Sequence, residues 1–235
     1  MQELLKTASA LLLFPISFYL GWKKLGVGVS FTYTIGMSAE FGTRIRKVTL
    51  INNKDKTLPI SRITAVYDGV LIELNAFDAP LLIKAHEGIT VESEPYSHLI
   101  LYKNEYKIVP RAEADISLFV EVNGDNYPCK PLFKKRFLPR RRIRAKHMPH
   151  RYTYEHNGKI YDPLRTRFIA EYIRENQVCT SFILDSGIIT DSEDLGCNFI
   201  PKHKLLSCNT VQNYLRDRNP TVEITESERV YFQPR

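Results

Sequence analysis

Cysteine is scarce and poorly placed for either of its usual structural uses. Cys129, Cys179, Cys197 and Cys208 match no disulfide framework, and a chain of 235 residues needs none to hold a core. Nor do they make the close C-x2–4-C pair on which structural zinc sites are built. Cys197, His203 and Cys208, with Cys179 further back, come nearest to one. The spacing predicts free, mostly buried thiols in a reducing compartment, with no metal and no cofactor. Catalytic motifs are missing too: there is no nucleophile elbow, P-loop, glycine-rich dinucleotide turn or HExxH. His86, His98, His147, His150, His156 and His203 are scattered. None forms a short-range pair with a cysteine or an acid whose geometry would make it catalytic. No catalytic residue is assigned, and the chain reads as a non-enzyme.

Acidic residues are absent from one stretch. Lys134, Lys135, Arg136, Arg140, Arg141, Arg142, Arg144, Lys146 and Arg151 lie together without a single acid among them. Subtracting those nine charges from the formal net charge of +7 leaves −2 for everything else. The basic character thus belongs to one segment, and a nucleic-acid role for the whole chain does not follow from it. Pro139 and Pro149 argue against one continuous helix there. Lys134, Lys135, Arg136, Arg140, Arg141, Arg142, Arg144 and Lys146 are the candidate phosphate- or lipid-binding residues. Near a bilayer each would be drawn to anionic headgroups by about 1 kcal/mol. Contact with nucleic-acid phosphates and a plain solvated connector are the competing readings.

One long uncharged run is present. Thr7–Trp22 reads TASALLLFPISFYLGW between Lys6 and Lys23–Lys24. A helix of that length rises roughly 24 Å, short of the ~30 Å hydrocarbon core, but flanking lysines can snorkel and extend the span. The predicted anchor is Leu11, Leu12, Leu13, Phe14, Ile16 and Phe18, with Tyr19 and Trp22 in the aromatic belt position. Pro15 would kink the helix, which membrane helices tolerate. A signal peptide would need a small-residue cleavage site where Trp22-Lys23-Lys24 stands. The lysine pair and the nearby Arg44, Arg46 and Lys47 favour a single-pass topology with a cytoplasmic C-terminal body.

Beyond the anchor, short alternating segments rich in β-branched and aromatic residues follow one another. They are 27–35, 45–51, 60–67, 70–74, 81–84, 89–93, 98–102, 106–109, 115–122 and 127–130. Asp68-Gly69 and Asn123-Gly124 are strong hairpin signals. The spacing predicts an antiparallel all-β sandwich or barrel, and the lack of crossover helices excludes a parallel sheet. Within this stretch, Val48-Thr-Leu-Ile-Asn-Asn-Lys-Asp-Lys56, Ile60–Leu74, Ala79-Pro-Leu-Leu-Ile-Lys84 and Glu92-Ser-Glu-Pro95 resemble immunoglobulin-like domains of small bacterial and mobile-element membrane proteins. The resemblance covers about residues 27–133. It implies an Ig-like β-sandwich and carries no catalytic signature, and the Cys–Trp–Cys hallmark of antibody domains is absent.

The expected organisation is a transmembrane anchor (1–25), an Ig-like β-sandwich (26–133), a basic linker (134–151) and a small α+β domain (152–235). In the last, Asn157-Gly158 predicts a hairpin. Asp162-Pro163 reads as the start of a helix over 164–176, with Leu164, Phe168, Ile169, Tyr172 and Ile173 on its apolar stripe. A strand is expected at 177–184, a second helix at 210–217 capped by Ser207 or Asn209, and strands at 222–225 and 229–232. A winged-helix arrangement of this region is a minor alternative, because only Arg216 and Arg218 would face a groove.

The functional expectation is a membrane-anchored binding, sensor or assembly protein. Its sandwich would recognise a protein partner or a second copy, and its basic tract would lie near anionic lipid. Two alternatives stay open. One is a membrane-associated nucleic-acid-binding protein that uses the basic tract. The other, drawn from the mobile-element resemblance, is a membrane-perturbing effector of a bacterial defence system.

Overall fold

The computed structural model describes residues 17, 18, 21, 26–108, 116–132 and 147–227. In chain order the strands are β1 (Val29–Ser38), β2 (Gly42–Asn52), β3 (Leu58–Tyr67), β4 (Val70–Ile83), β5 (Gly88–Glu92), β6 (His98–Leu101), β7 (Asn104–Glu105) and β8 (Ser117–Val122). Then come β9 (Asp125–Pro128), β10 (Lys130–Pro131), β11 (His150–Tyr152), β12 (Tyr154–His156), β13 (Lys159–Tyr161), β14 (Thr166–Arg174), β15 (Gln177–Leu184) and β16 (Glu223–Glu226). Helix α1 (Cys208–Arg216) precedes β16. The fold is mainly β, with several antiparallel sheets.

The described residues fall into two compact units that interleave along the chain. The first gathers 26–35, 45–94, 116–132 and 147–148; the second gathers 36–44, 95–108 and 149–227. Strand β1 therefore begins in the first unit and ends in the second, and β2 begins in the second and ends in the first.

In the first unit one sheet runs β10-β1-β2-β5 and the other β4-β3-β8-β9. Alternation explains which face of each is dry. Val48 and Leu50 in β2 are fully buried, as are Ile60, Ile63 and Ala65 in β3 and Leu118 and Val120 in β8. β1 meets β10 in parallel, Ser30 opposite Lys130 and Phe31 opposite Pro131. Two separate strands were expected over 70–74 and 81–84; β4 instead continues through both. Ile60 pairs with Leu81 and Arg62 with Ala76, so residues 77–80 stand opposite Ser61 alone. Pro80, which lacks an N–H, fits such an irregular position.

Asn52 is fully buried and ties the following turn together. Its Nδ2 donates to the carbonyls of Lys56 (2.7 Å), Ile83 (3.2 Å) and Lys84 (3.0 Å), and its Oδ1 accepts from the Lys54 N–H at 2.9 Å. All its hydrogen-bonding capacity faces backbone that would otherwise be buried without partners.

The second unit contains the sheets β11-β6-β7 and β15-β14-β16 and the hairpin β12-β13. Ser207 caps α1, its Oγ accepting from the Thr210 N–H at 3.3 Å. The helix seats Val211 and Leu215, one turn apart, in the apolar cluster of Phe168, Tyr172, Ile183, Leu195 and Ile200.

The segment expected to be a helix over 164–176 is strand β14, a correction with a clear physical reason. β14 is the central strand of its sheet, with one face buried and the other covered at Ile169. Phe168, Ala170 and Tyr172 enter the large cluster, and Ile169, of opposite parity, packs with Tyr161 and Phe182. One face keeps the period of two with Phe168, Ala170 and Tyr172 inward, but buried Ile169 and exposed Ile173 on the other add apolar residues that fall at helical spacing. The turn Glu175-Asn176, with φ of 48° and 63°, then closes a two-residue hairpin onto β15.

Among the described residues no helix is long and apolar enough to cross a membrane. Of the expected anchor, Phe18 is helical and 63 % exposed. Leu11, Leu12, Leu13, Phe14, Ile16, Tyr19 and Trp22 lie outside the described residues. So do the eight basic residues from Lys134 to Lys146 and the strand expected at 229–232.

Candidate functional site

The second unit holds a cavity of about 300 Å³, with a buried charge network in its wall. Three stretches of chain line it: Met37 to Thr43 from the end of β1, the turn and the start of β2, Tyr96 to Ile108 around β6 and β7, and Arg165. Its lining is mainly apolar and aromatic, including Phe41, Tyr96, Leu99 and Ile108, with Glu105, Lys107 and Arg165 as its charged groups.

The network is built on a turn. Asp162 Oδ1 accepts from the Leu164 N–H at 3.0 Å, an Asx turn made by the residue expected to cap a helix. The Asp162 carbonyl accepts from the N–H groups of Arg165 (3.1 Å) and Thr166 (2.9 Å). The turn thus delivers Arg165 back onto its own carboxylate, with Nε 3.2 Å from Asp162 Oδ2. His98 Nδ1 lies 3.1 Å from Asp162 Oδ1, and both side chains are only 1 % exposed. The His98 ring is stacked between Tyr152 and Tyr154, at centroid distances of 5.5 and 5.7 Å. The Leu164 N–H serves Oδ1, while Oδ2 makes no hydrogen bond among the described residues and is compensated by the Arg165 charge 3.2 Å away. Ser97 Oγ adds a further link, accepting from the Tyr154 N–H and donating to the Tyr161 carbonyl.

Arg165 also reaches the opposite wall. Its guanidinium is 3.5 Å from Glu105 Oε1 and 3.5 Å from the Ala39 carbonyl. Gly42 has φ +67°, and a Cβ there would lie 2.8 Å from Arg165 Nη2. The positive φ is what favours glycine there; a Cβ would displace only the mobile end of the Arg165 side chain.

A second polar cluster sits over β14 and β15. Glu171 Oε1 accepts from Asn157 Nδ2 (2.6 Å) and is 3.1 Å from His156 Nε2. Lys159 Nζ donates to the Thr180 carbonyl and to Asp191 Oδ2, each at 2.8 Å. Glu40, in the β1–β2 turn, has its carboxyl pushed up to about 7. Burial is the main cause and the Asp191 carboxylate the next; Arg44 and Lys159 oppose them, and Asp162 adds to the rise. Burial likewise pushes up the Tyr96 hydroxyl, against Arg44 and Arg151.

Neither cluster was legible as a site in the sequence. His98 and Asp162 are 64 residues apart, and the only local signal was Asp162-Pro163. Cys179, Cys197 and Cys208 pack at the edge of the apolar cluster, and no group of three potential metal ligands gathers among the described residues. Arg218, a candidate groove contact in the winged-helix reading, lies over the Tyr214 ring and donates to the Tyr214 carbonyl at 2.8 Å. Compared with protein-family models, curated proteins and solved structures, the chain matches none.

Proposed function

We propose that this chain is a membrane-anchored, non-catalytic recognition or assembly protein. The anchor is Thr7–Trp22, the recognition module is an Ig-like β-sandwich in the first unit, and the basic tract 134–146 lies against anionic lipid on the cytoplasmic side. A protein partner or a second copy is the bound species. The observation that carries the reading is the combination of a sixteen-residue uncharged run stopped by Lys23–Lys24 with a body built almost wholly of antiparallel sheets. The two four-stranded sheets of the first unit, each with a buried apolar face, support the sandwich. The non-catalytic half is supported by how the polar groups of the second unit are used. Asp162 is engaged by His98, Arg165 and backbone donors, and Lys159 and Asp191 are engaged with each other. These are scaffold interactions that hold turns and hairpins in place.

The test is flotation of the full-length protein with neutral and with phosphatidylserine-containing vesicles. Anchoring alone gives recovery with both. The lipid role of the tract gives better recovery on anionic vesicles, lost when Arg140, Arg141, Arg142 and Arg144 are neutralised. Recovery independent of those arginines, together with steeply salt-dependent binding to DNA or RNA, would replace the lipid role by the nucleic-acid one.

A further inference from the structure

The cavity belongs wholly to the second unit, not to the sandwich, and its size, surface and polarity together define an occupant. About 300 Å³ is twice the ~150 Å³ apolar cavity that holds a single benzene ring, which leaves room for two fused six-membered rings. Phe41, Tyr96, Leu99 and Ile108 give it aromatic and aliphatic walls, the surface that buries the flat body of a small ligand. Tyr96, Leu99 and Ile108 are themselves buried, 7 %, 3 % and 3 % exposed, so packing holds these walls in place before anything binds.

The charged groups of the lining are already matched. Glu105 Oε2 lies 2.8 Å from Lys107 Nζ and its Oε1 lies 3.5 Å from Arg165 Nη2, while Arg165 Nε lies 3.2 Å from Asp162 Oδ2. Two cations and two carboxylates cancel. A charged ligand would have to give up its hydration and draw an ion away from its partner. Tyr96 is placed differently. It lines the cavity, yet its hydroxyl makes no hydrogen bond among the described residues. Burial pushes that hydroxyl above its ordinary range, against Arg44 and Arg151, so it stays protonated and remains a donor. A buried donor without an acceptor is costly, and a ligand oxygen would answer it.

We propose that this cavity binds an uncharged, fused two-ring molecule with at least one aromatic ring and a single carbonyl oxygen. The rings lie among Phe41, Leu99 and Ile108, and the oxygen accepts from the Tyr96 hydroxyl.

The experiment is hydrogen exchange with mass-spectrometric readout on the full-length protein in nanodiscs, titrated with three probes. 1-Tetralone has both rings and the oxygen, tetralin lacks the oxygen, and 1-naphthoate carries a charge. 1-Tetralone should give saturable protection confined to peptides covering 37–43 and 96–108, a pattern that partitioning into lipid does not produce. Tetralin should bind about fivefold more weakly, and 1-naphthoate more than about tenfold more weakly. Tyr96→Phe removes only the unpartnered hydroxyl. It should raise the half-saturating concentration of 1-tetralone about fivefold, the worth of one hydrogen bond, and leave that of tetralin unchanged. Absence of saturable protection by 1-tetralone, binding of tetralin or 1-naphthoate as tight as that of 1-tetralone, or a Tyr96→Phe curve that superposes on wild type each overturns the proposal. If Tyr96→Phe fails to fold, the three probes on the wild-type chain decide it.

Discussion

Replacing Asp162 should separate a buried scaffold from a surface ion pair within the same unit. Asp162→Ala removes the acceptor for the Leu164 N–H and the partners of His98 and Arg165 in one step. Deleting one member of a buried charge pair costs about 3–5 kcal/mol. Arg165 is 29 % exposed and keeps Glu105, so its loss is cushioned and the expected cost sits at the lower end, about 3 kcal/mol. Asp162→Asn retains an acceptor for the Leu164 N–H but turns an amide toward the guanidinium, for about 2 kcal/mol. The control is Asp194→Asn, which breaks the 2.8 Å contact to Arg174. Those side chains are 27 % and 51 % exposed, and such pairs contribute less than about 1 kcal/mol. The assay is hydrogen exchange of β14 amides under increasing urea, which reports the second unit alone without assuming that a two-unit chain unfolds in one step. A cost for Asp162→Ala no larger than that for Asp194→Asn would refute the scaffold reading of the network.

Three further outcomes follow from the geometry. Gly187→Ala should destabilise the second unit by more than about 2 kcal/mol. The residue has φ +94°, and a Cβ would collide with the Ile200 carbonyl oxygen; Gly69→Ala, with open space around it, should cost about 1 kcal/mol. Paired denaturation curves check the contrast. Cys129, its thiol pushed up to about 12 by burial, should resist alkylation at pH 8 in the native protein and react only after unfolding, while half-buried Cys179, Cys197 and Cys208 label in the native protein, as peptide mapping would read. Ser207→Ala should lower stability by about 1 kcal/mol through the lost N-cap, with exchange accelerated first at the amide of Thr210.

Hairpins with an Asx-Gly turn were readable directly. Asp68-Gly69, Asn123-Gly124 and Asn157-Gly158 all adopt paired positive φ, because those residues tolerate it at least cost. Where the chain makes the same turn with Tyr102-Lys103 or Glu175-Asn176, composition offered no such cue. At the second of these the missing cue cost the assignment of β14. The helix α1 was legible from the candidate caps Ser207 and Asn209, of which Ser207 serves, and it starts two residues earlier than expected. The cavity was not legible, since Phe41, His98 and Arg165 come from three distant stretches and only tertiary packing brings them together. Nothing local in the sequence announces that Asp162 and Asp191 face Glu40.

Membrane attachment by the first 24 residues is the claim on which the functional account stands, and cell fractionation with alkaline carbonate extraction tests it most directly. Full-length chain and a chain of residues 25–235 would be compared, with protease added to intact cells or spheroplasts to read the side on which the body lies. The account expects full-length protein to stay in the carbonate-resistant membrane fraction with its body protected in the cytoplasm, and the truncated chain to leave the pellet. Full-length protein that washes off in carbonate would contradict it.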